Sequence, residues 1–157
     1  EHGVPMTRVY LDPLVLTING NQDQARQTIE GVRCFKQMIE PIPLTTCGLS
    51  NISNSCPAPL RPLLNQVFLV MMLGGGLDAP IVDVFDEELI RIPKVIGSRD
   101  ESTPLNRVYL AIYDSYAAGG QYDGTGADMS DPKVVDVMKT VKILQNETLY
   151  AHGYLRR

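Results

Sequence analysis

The strongest constraint on the fold is a strand-like run followed by a helix-like run, repeated along the first half of the chain. The strand-like runs begin at Arg8, Leu44 and Ala79, about 36 residues apart. Between them, residues 22–39 and 60–73 carry apolar side chains at helical spacing, and proline or glycine follows each run. Strands that alternate with helices at this spacing indicate βα units and a parallel sheet. The sequence therefore predicts an α/β fold.

Polar side chains follow each predicted strand. They are Asp12 after the first strand, Ser50 and Asn51 after the second, and Asp83 at the end of the third. Taken alone, the stretch from Thr45 to Ser55 is more typical of a turn that caps the next helix. However, the carboxyl ends of parallel strands meet at one edge of the sheet, where α/β enzymes place their catalytic residues. We therefore expect these side chains to share one site.

Composition limits the classes of partner. The 157 residues are 44% hydrophobic and 20% charged, with a formal net charge of −4, which is ordinary for one globular domain. A slight acidic excess without a large basic cluster argues against a nucleic-acid surface. The most apolar run, residues 67–73, is too short to span a bilayer, so no membrane partner is expected.

The cysteine and histidine residues argue against a metal site or a thiol nucleophile. Cys34, Cys47 and Cys56 leave one thiol unpaired in any pairing and form no CxxC motif, which favours reduced thiols in a cytoplasmic protein. His2 and His152 lie near opposite ends of the chain without metal-ligand spacing, so no metal is expected. The same separation makes a Cys–His catalytic pair a weak hypothesis.

The chain from residue 88 to about 130 has a looser pattern, rich in glycine and proline. Within it, Asn106 to Ala118 is compatible with a helix that carries a row of tyrosines. Packing against the domain is the favoured interpretation of that row, and a platform for a partner or flat ligand is the alternative. The tyrosines of this row are Tyr109, Tyr113 and Tyr116.

After this segment, Ser130-Asp131-Pro132 predicts the start of a helix that ends near Asn146.

The predicted strand-end groups are amides, hydroxyls and carboxylates, without a phosphate-binding glycine loop. Such groups suit a neutral heterocycle with an edge rich in N–H donors. A carboxylate such as Asp12 can accept two hydrogen bonds from an amino-pyrimidinone, and Asn51 can donate and accept without changing charge.

Four motifs resemble, in order and spacing, those of the pterin-binding methyltransferases. The resemblance is closest to the methyltetrahydrofolate:corrinoid/iron-sulfur protein methyltransferases, over about residues 5–90 and 134–150. Its most specific part is the Gly-Leu-Ser-Asn-Ile-Ser block with the Arg-Pro-Leu-Leu-Asn segment downstream. The motifs are Leu11–Leu14, Gly48–Ser53, Arg61–Asn65 with Phe68-Leu69, and Gly76–Ala79.

This resemblance implies a (β/α)8 barrel that binds methyltetrahydrofolate and passes its methyl group to the Co(I) centre of a separate corrinoid protein. Asp12 matches the aspartate that holds the pterin ring, and Asn51 matches the asparagine that hydrogen-bonds N5 as the methyl leaves. A homodimer is also expected. The remaining positions assigned to substrate binding are Ser50, Gly48, Arg61 and Asp83.

The chain also departs from this family. Gln66 stands where the family has arginine, the loop 54–60 is slightly longer, and residues 91–130 have no recognised counterpart. A (β/α)8 barrel needs about 250 residues. Residues 1–157 are therefore expected to form the C-terminal part of one barrel domain, about its last three βα units plus an insertion at 91–130. Either the chain belongs to a longer protein or another chain completes the barrel.

Two alternative functions remain open from the sequence. A dihydropteroate synthase shares the barrel and the pterin pocket, but ends its last strand with an Arg-x-His pattern where this chain has Ile81-Val82-Asp83. The other alternative is a non-catalytic interaction module that uses the insertion and its tyrosines as a binding surface.

Overall fold

The computed structural model describes residues 3–156, so His2 lies outside the described residues. The strands and helices are, in chain order, β1 (Tyr10–Leu11), α1 (Gln24–Met38), β2 (Leu44–Gly48), α2 (Arg61–Gly74), β3 (Ala79–Ile81), α3 (Glu87–Ser98), α4 (Pro104–Ala117) and α5 (Pro132–Leu144). The strands pair in parallel in the order β1-β2-β3. The predicted α/β fold with a parallel sheet is therefore confirmed. Within residues 3–156, no helix has the length and apolarity that crossing a membrane requires.

The two faces of the sheet are covered differently. Thr45 and Cys47 of β2 are fully buried, and Cys47 belongs to the hydrophobic core. Tyr10 and Ile81 pair with the alternate positions of β2, and 51% and 66% of their surfaces are exposed. Since parallel sheets are normally covered on both faces, these strands are compatible with part of a larger βα array. The eight-stranded barrel stays a prediction.

Two strands are shorter than expected. Met6–Arg8 forms a turn of 3-10 helix, so that β1 begins only at Tyr10. β3 ends at Ile81 because Asp83 accepts a hydrogen bond from the Phe85 backbone N–H (2.9 Å), which turns the chain out of the sheet. Each strand still ends where a polar side chain follows it.

An ion pair between Lys36 and Asp78, together with hydrogen bonds from Thr45, fixes the start of β2. Asp78, in the α2–β3 connection, accepts hydrogen bonds from Lys36 Nζ (2.5 Å), the Thr45 backbone N–H (2.7 Å) and Thr45 Oγ1 (2.8 Å). Partial burial alone would raise the pKa of Asp78, but the bonds from Lys36 and Thr45 outweigh it and lower the pKa. This network ties α1 and the start of β2 to the residue that precedes β3.

Helix α2 is the centre of the fold. It is buried over much of its girth because it packs against α4 and α5 as well as α1, α3 and the turn after β2. The approach to α4 is closest at Gly74, where an added Cβ would lie 2.6 Å from the Tyr113 carbonyl oxygen and 2.7 Å from Tyr116 Cβ. Glycine at this position is therefore required for packing. The buried residues of α2 are Leu64, Asn65, Val67, Phe68, Leu69, Val70, Met71 and Met72.

Residues 87–98 form a regular helix, α3, so the expectation of an irregular segment there was wrong. The Asp86 side chain caps it by accepting a hydrogen bond from the Leu89 backbone N–H (3.1 Å). Pro93 and Gly97, which suggested a loop, both lie on the exposed face of the helix. The opposite face is buried through Leu89, Ile92 and Val95.

The insertion packs on the domain mainly through α4. Tyr109 and Tyr116 are only 1% and 2% exposed, and Tyr113 is half-buried, which confirms the packing interpretation of the tyrosine row. Burial raises the pKa of Tyr116 to about 12. Arg33 of α1 fixes the end of α4 by donating to the backbone carbonyls of Tyr116 (2.5 Å) and Gly120 (3.2 Å). Two of the three rings are therefore not available as a binding platform.

Helix α5 begins and ends as predicted. The Asp131 side chain caps its first turn, and Asn146 follows the helix in the left-handed conformation (φ 62°). Gln22 then holds the C-terminal segment: its Nε2 donates to the Ile143 carbonyl (2.9 Å), and its Oε1 accepts from the Tyr150 backbone N–H (2.7 Å). The first βα connection is thus joined to the end of α5 and the segment that follows it.

Candidate active site

The turn after β2 presents Asn51 to solvent. Leu49–Ser53 forms 3-10 helix, and the buried Ile52 anchors it by accepting a hydrogen bond from the Ile18 backbone N–H (2.8 Å). Among residues 3–156, the Asn51 side chain makes one hydrogen bond, from Asn54 Nδ2 to Asn51 Oδ1 at 3.4 Å. A contact of that length is weak. The backbone that carries Asn51 is therefore fixed, while the side-chain amide is held weakly and can reorient.

Gly48 provides space for the Asn51 amide. A Cβ added at Gly48 would lie 3.2 Å from Asn51 Nδ2 and 3.7 Å from Asn51 Cγ. The backbone there (φ −75°, ψ 89°) does not need the left-handed conformation. A side chain at this position would press on the amide and displace it by a few tenths of an ångström, which gives a physical reason for including Gly48 in the site.

Asp12 lies on the neighbouring strand end. It is exposed after β1, and its Oδ1 accepts a hydrogen bond from the Leu14 backbone N–H (2.8 Å), which orients the carboxylate. Burial, and in second place the negative charge of Asp12, raise the pKa of Cys47 to about 12. Asp12 is thus close to the middle strand. The Cys47 thiol stays protonated at neutral pH and is a poor nucleophile.

A cavity of about 720 Å³ opens between the turn after β2, the start of α2 and the β3–α3 connection. It brings together three predicted substrate-binding residues, Ser50, Arg61 and Asp83. Arg61 Nε donates to Ser53 Oγ (3.3 Å), which directs the arginine side chain toward the turn that carries Asn51. The predicted site residues that do not line this cavity are Asp12, Gly48 and Asn51.

The cavity also contains polar residues that were not assigned to the site from the sequence. Asp86, Glu87 and Glu88 come from the start of α3, a helix that the sequence did not predict. Asn65 comes from α2 and is 8% exposed. A signal for Asn65 did exist, because it is an amide within an otherwise apolar stretch of helix. The exposed Phe85 completes the rim.

Gln66, one of the departures from the family pattern, has a structural role at the cavity edge. Its Nε2 donates to both carboxylate oxygens of Asp86, at 3.0 and 3.1 Å. The same carboxylate caps α3. Gln66 therefore connects α2 to the start of α3 and holds one wall of the cavity.

The arrangement can bind a polar ligand through hydrogen bonds and through opposite charges at Arg61 and Asp83. Within the described part of the chain, no group of three or more His, Cys, Asp or Glu side chains is arranged to hold a metal ion. Cys34, Cys47 and Cys56 are all free thiols. The reacting groups that the site offers are an amide, hydroxyls and carboxylates.

Comparison with known proteins identifies two kinds of relative, although no protein-family model matches the chain. Methionine synthase of Mycobacterium tuberculosis is 39% identical over 84 residues, which are 51% of this chain and 7% of that protein. Methionine synthase of Mycobacterium leprae is 38% identical over a stretch of the same length. The methylcorrinoid:tetrahydrofolate methyltransferase of Eubacterium limosum is 30% identical over 93 residues, 57% of this chain and 32% of that enzyme.

These similarities support a relationship to folate- and corrinoid-dependent methyltransferases, at the level of the family and not of a particular member. The chain spans only a small part of the length of the curated relatives it matches. The resemblance found in the motifs is therefore supported, while the particular activity and its residues stay proposals.

Proposed function

We propose that the protein is a methyltransferase that moves the N5 methyl group of methyltetrahydrofolate to the Co(I) centre of a corrinoid protein. The support is similarity to methionine synthases and to an enzyme named for methylcorrinoid and tetrahydrofolate. The transfer breaks the N5–CH₃ bond, and the electron pair of Co(I) forms the new bond to carbon. The electron pair of the broken bond stays on N5, which takes up a proton from solvent to give tetrahydrofolate. Because the step is reversible, the same site would also serve the direction in the name of the Eubacterium limosum relative.

The observation that carries the proposal is the exposed amide of Asn51 at a strand end, held by one weak hydrogen bond. A tertiary amine is a poor leaving group, so N5 must gain a proton or a strong hydrogen bond in the transition state. An amide that reorients can donate that bond without changing charge. A hydrogen bond of this type contributes about 2.7 to 4 kcal/mol.

Asp12 is proposed to hold the pterin ring from the neighbouring strand. Leu11 pairs with Thr45, so β1 ends three residues before the end of β2 at Gly48. The two groups are therefore offset along the strands as well as across the spacing of about 4.8 Å between them, and we propose that a bicyclic ring bridges this offset. The Asp12 carboxylate matches the amino and N–H groups of the pyrimidinone edge. Ser50, Gly48, Arg61 and Asp83 are proposed to line the rest of the substrate site.

The uncovered face of the sheet supports the larger architecture. Tyr10 and Ile81 remain exposed there, and the outer edges of β1 and β3 have no strand partner within residues 3–156. We propose that further strands, from the same polypeptide or from another, complete a (β/α)8 barrel of the pterin-binding type. The corrinoid protein would dock over the strand ends, because the methyl group passes directly to cobalt. A homodimer in the cytoplasm is part of this proposal.

The experiment combines the protein, methyltetrahydrofolate and a reduced corrinoid protein, and follows the absorbance of Co(I). Methyl transfer predicts a loss of that absorbance that depends on all three components. Omission of methyltetrahydrofolate is the control for spontaneous oxidation. An unchanged absorbance together with measured binding of the corrinoid protein would contradict methyl transfer and favour a non-catalytic interaction module.

A further inference from the structure

The turn between β3 and α3, residues 83–86, carries two large apolar side chains into solvent. Val84 and Phe85 occupy its two central positions and are 68% and 90% exposed. Central positions of tight turns usually hold glycine, proline, asparagine, aspartate or serine. Phe85 also lines the mouth of the cavity described above. Two adjacent exposed apolar side chains at such a place are candidates for a contact surface.

This turn is fixed although its tip is exposed. Asp83 closes it twice, because its Oδ1 accepts a hydrogen bond from the Phe85 backbone N–H (2.9 Å) and its carbonyl accepts one from the Asp86 N–H (3.3 Å). Asp86 in turn caps α3 and accepts two hydrogen bonds from Gln66. A surface that is already ordered loses little conformational freedom when a partner binds. The fold thus holds Phe85 ready for contact.

The turn lies at the carboxyl end of the strands, where the methyl acceptor would approach. Phe85 lines the same cavity as Ser50, the neighbour of Asn51 in the turn after β2. Further strands would pair beside β1 and β3 and would cover Ile81 within the sheet. The βα connections of a barrel stay at its open face. Completing the barrel would therefore leave Phe85 accessible.

The side chains of the turn fit the chemistry of a corrin ring. A corrin has broad apolar faces, and its edge carries acetamide and propionamide side chains with N–H donors. Phe85 can pack against the apolar macrocycle, while the exposed carboxylates of Asp83 and Glu87 can accept hydrogen bonds from the amides. The same carboxylates would repel the anionic glutamate tail of a folate. The turn therefore suits the methyl acceptor better than the methyl donor.

We propose that Phe85 is a contact residue for the corrin ring of the methyl acceptor, with Val84 extending the apolar surface. Asp83 and Glu87 bind the amides at the edge of the ring. This inference rests on the proposed function and assigns the acceptor its own part of the site. Because β2 and β3 are adjacent strands, a ring that places cobalt over the methyl group beside Asn51 also covers the end of β3.

The test uses free cob(I)alamin as the methyl acceptor, because it carries the corrin ring without a partner polypeptide. In the full protein, Phe85→Ser should lower kcat/KM for cob(I)alamin about tenfold, since it removes the apolar contact. The melting temperature should not change, because the Phe85 side chain is exposed. The dissociation constant for methyltetrahydrofolate should also stay the same.

Two further variants serve as controls for the loss of apolar surface. Phe85→Leu keeps an apolar side chain at the tip of the turn and should retain most of the activity. Ile42→Ser removes an exposed apolar side chain just before β2, at the opposite end of the strands from the turn. Its kcat/KM for cob(I)alamin should equal that of the wild type.

The outcomes separate this inference from the proposed function. Failure of the wild type to methylate either cob(I)alamin or a corrinoid protein refutes the proposed function, and the inference falls with it. Wild-type transfer to the corrinoid protein alone would mean that the free ring is not recognised, and would overturn the inference only. A loss in Phe85→Ser restricted to the corrinoid protein would assign the turn to the partner polypeptide and overturn it as well. Weaker binding of methyltetrahydrofolate, or unchanged activity, would also refute it.

Discussion

Replacing Asn51 by alanine tests the proposed chemistry most directly, because the amide makes so few contacts in the fold. Its one hydrogen bond is 3.4 Å long and its side chain is exposed, so we expect the free energy of unfolding to change by less than about 0.5 kcal/mol. Loss of a hydrogen bond made in the transition state should lower kcat by roughly 10²–10³-fold. The affinity for methyltetrahydrofolate should fall far less, since Asp12 and the other proposed contacts remain.

The assay is single-turnover methyl transfer to a reduced corrinoid protein, with ligand binding measured separately. The matched control is Asn54→Ala, which removes the partner of the 3.4 Å bond but keeps the Asn51 amide. Its transfer rate should stay close to the wild-type rate. Equal losses of rate and affinity in Asn51→Ala would refute the role of the amide in the transition state. An unchanged rate would refute it as well.

Three further predictions concern neighbouring or supporting residues. Gly48→Ala should lower the transfer rate by less than Asn51→Ala does, with little change in melting temperature, because its Cβ presses on the Asn51 amide from 3.2 Å. Arg33→Met should lower the free energy of unfolding by about 2 kcal/mol in urea titrations, since it removes charged hydrogen bonds to two carbonyls at the end of α4; the exposed Arg26→Met is the control. The lowered pKa of Asp78 stabilises the fold above about pH 4, and this contribution is lost as the pH falls through the folded-state pKa. Asp78→Asn should therefore be less stable at pH 7 and show a flatter acid dependence, whereas parallel acid profiles would contradict this.

The order of strands and helices was predictable because its signals are local. The Ser130-Asp131-Pro132 start of α5 depends on one cap and one proline, and the structure uses the Asp131 side chain as that cap. The glycines after residue 73 likewise predicted the end of α2, which stops at Gly74. Patterns of this kind need no knowledge of what packs against the element.

The missed parts depend on tertiary contacts. Pro93 suggested a loop in residues 87–98, but the apolar face of α3 packs on α2 and α4, which outweighs one proline on the exposed side. The acidic wall of the cavity was missed for the same reason, since Asp86 and Glu87 are placed by α3.

The relation between core and site explains why we expect activity and stability to respond to different residues. Cys47 and Ile52, on either side of the strand end, are fully buried and fix the backbone of β2 and its turn. Asn51 lies between them in sequence yet points to solvent. The backbone position is therefore stabilised by neighbours that take no part in the chemistry, while the amide itself contributes little to folding. A fold built in this way can place a reorienting amide precisely, because the groups that hold it and the group that reacts are separate.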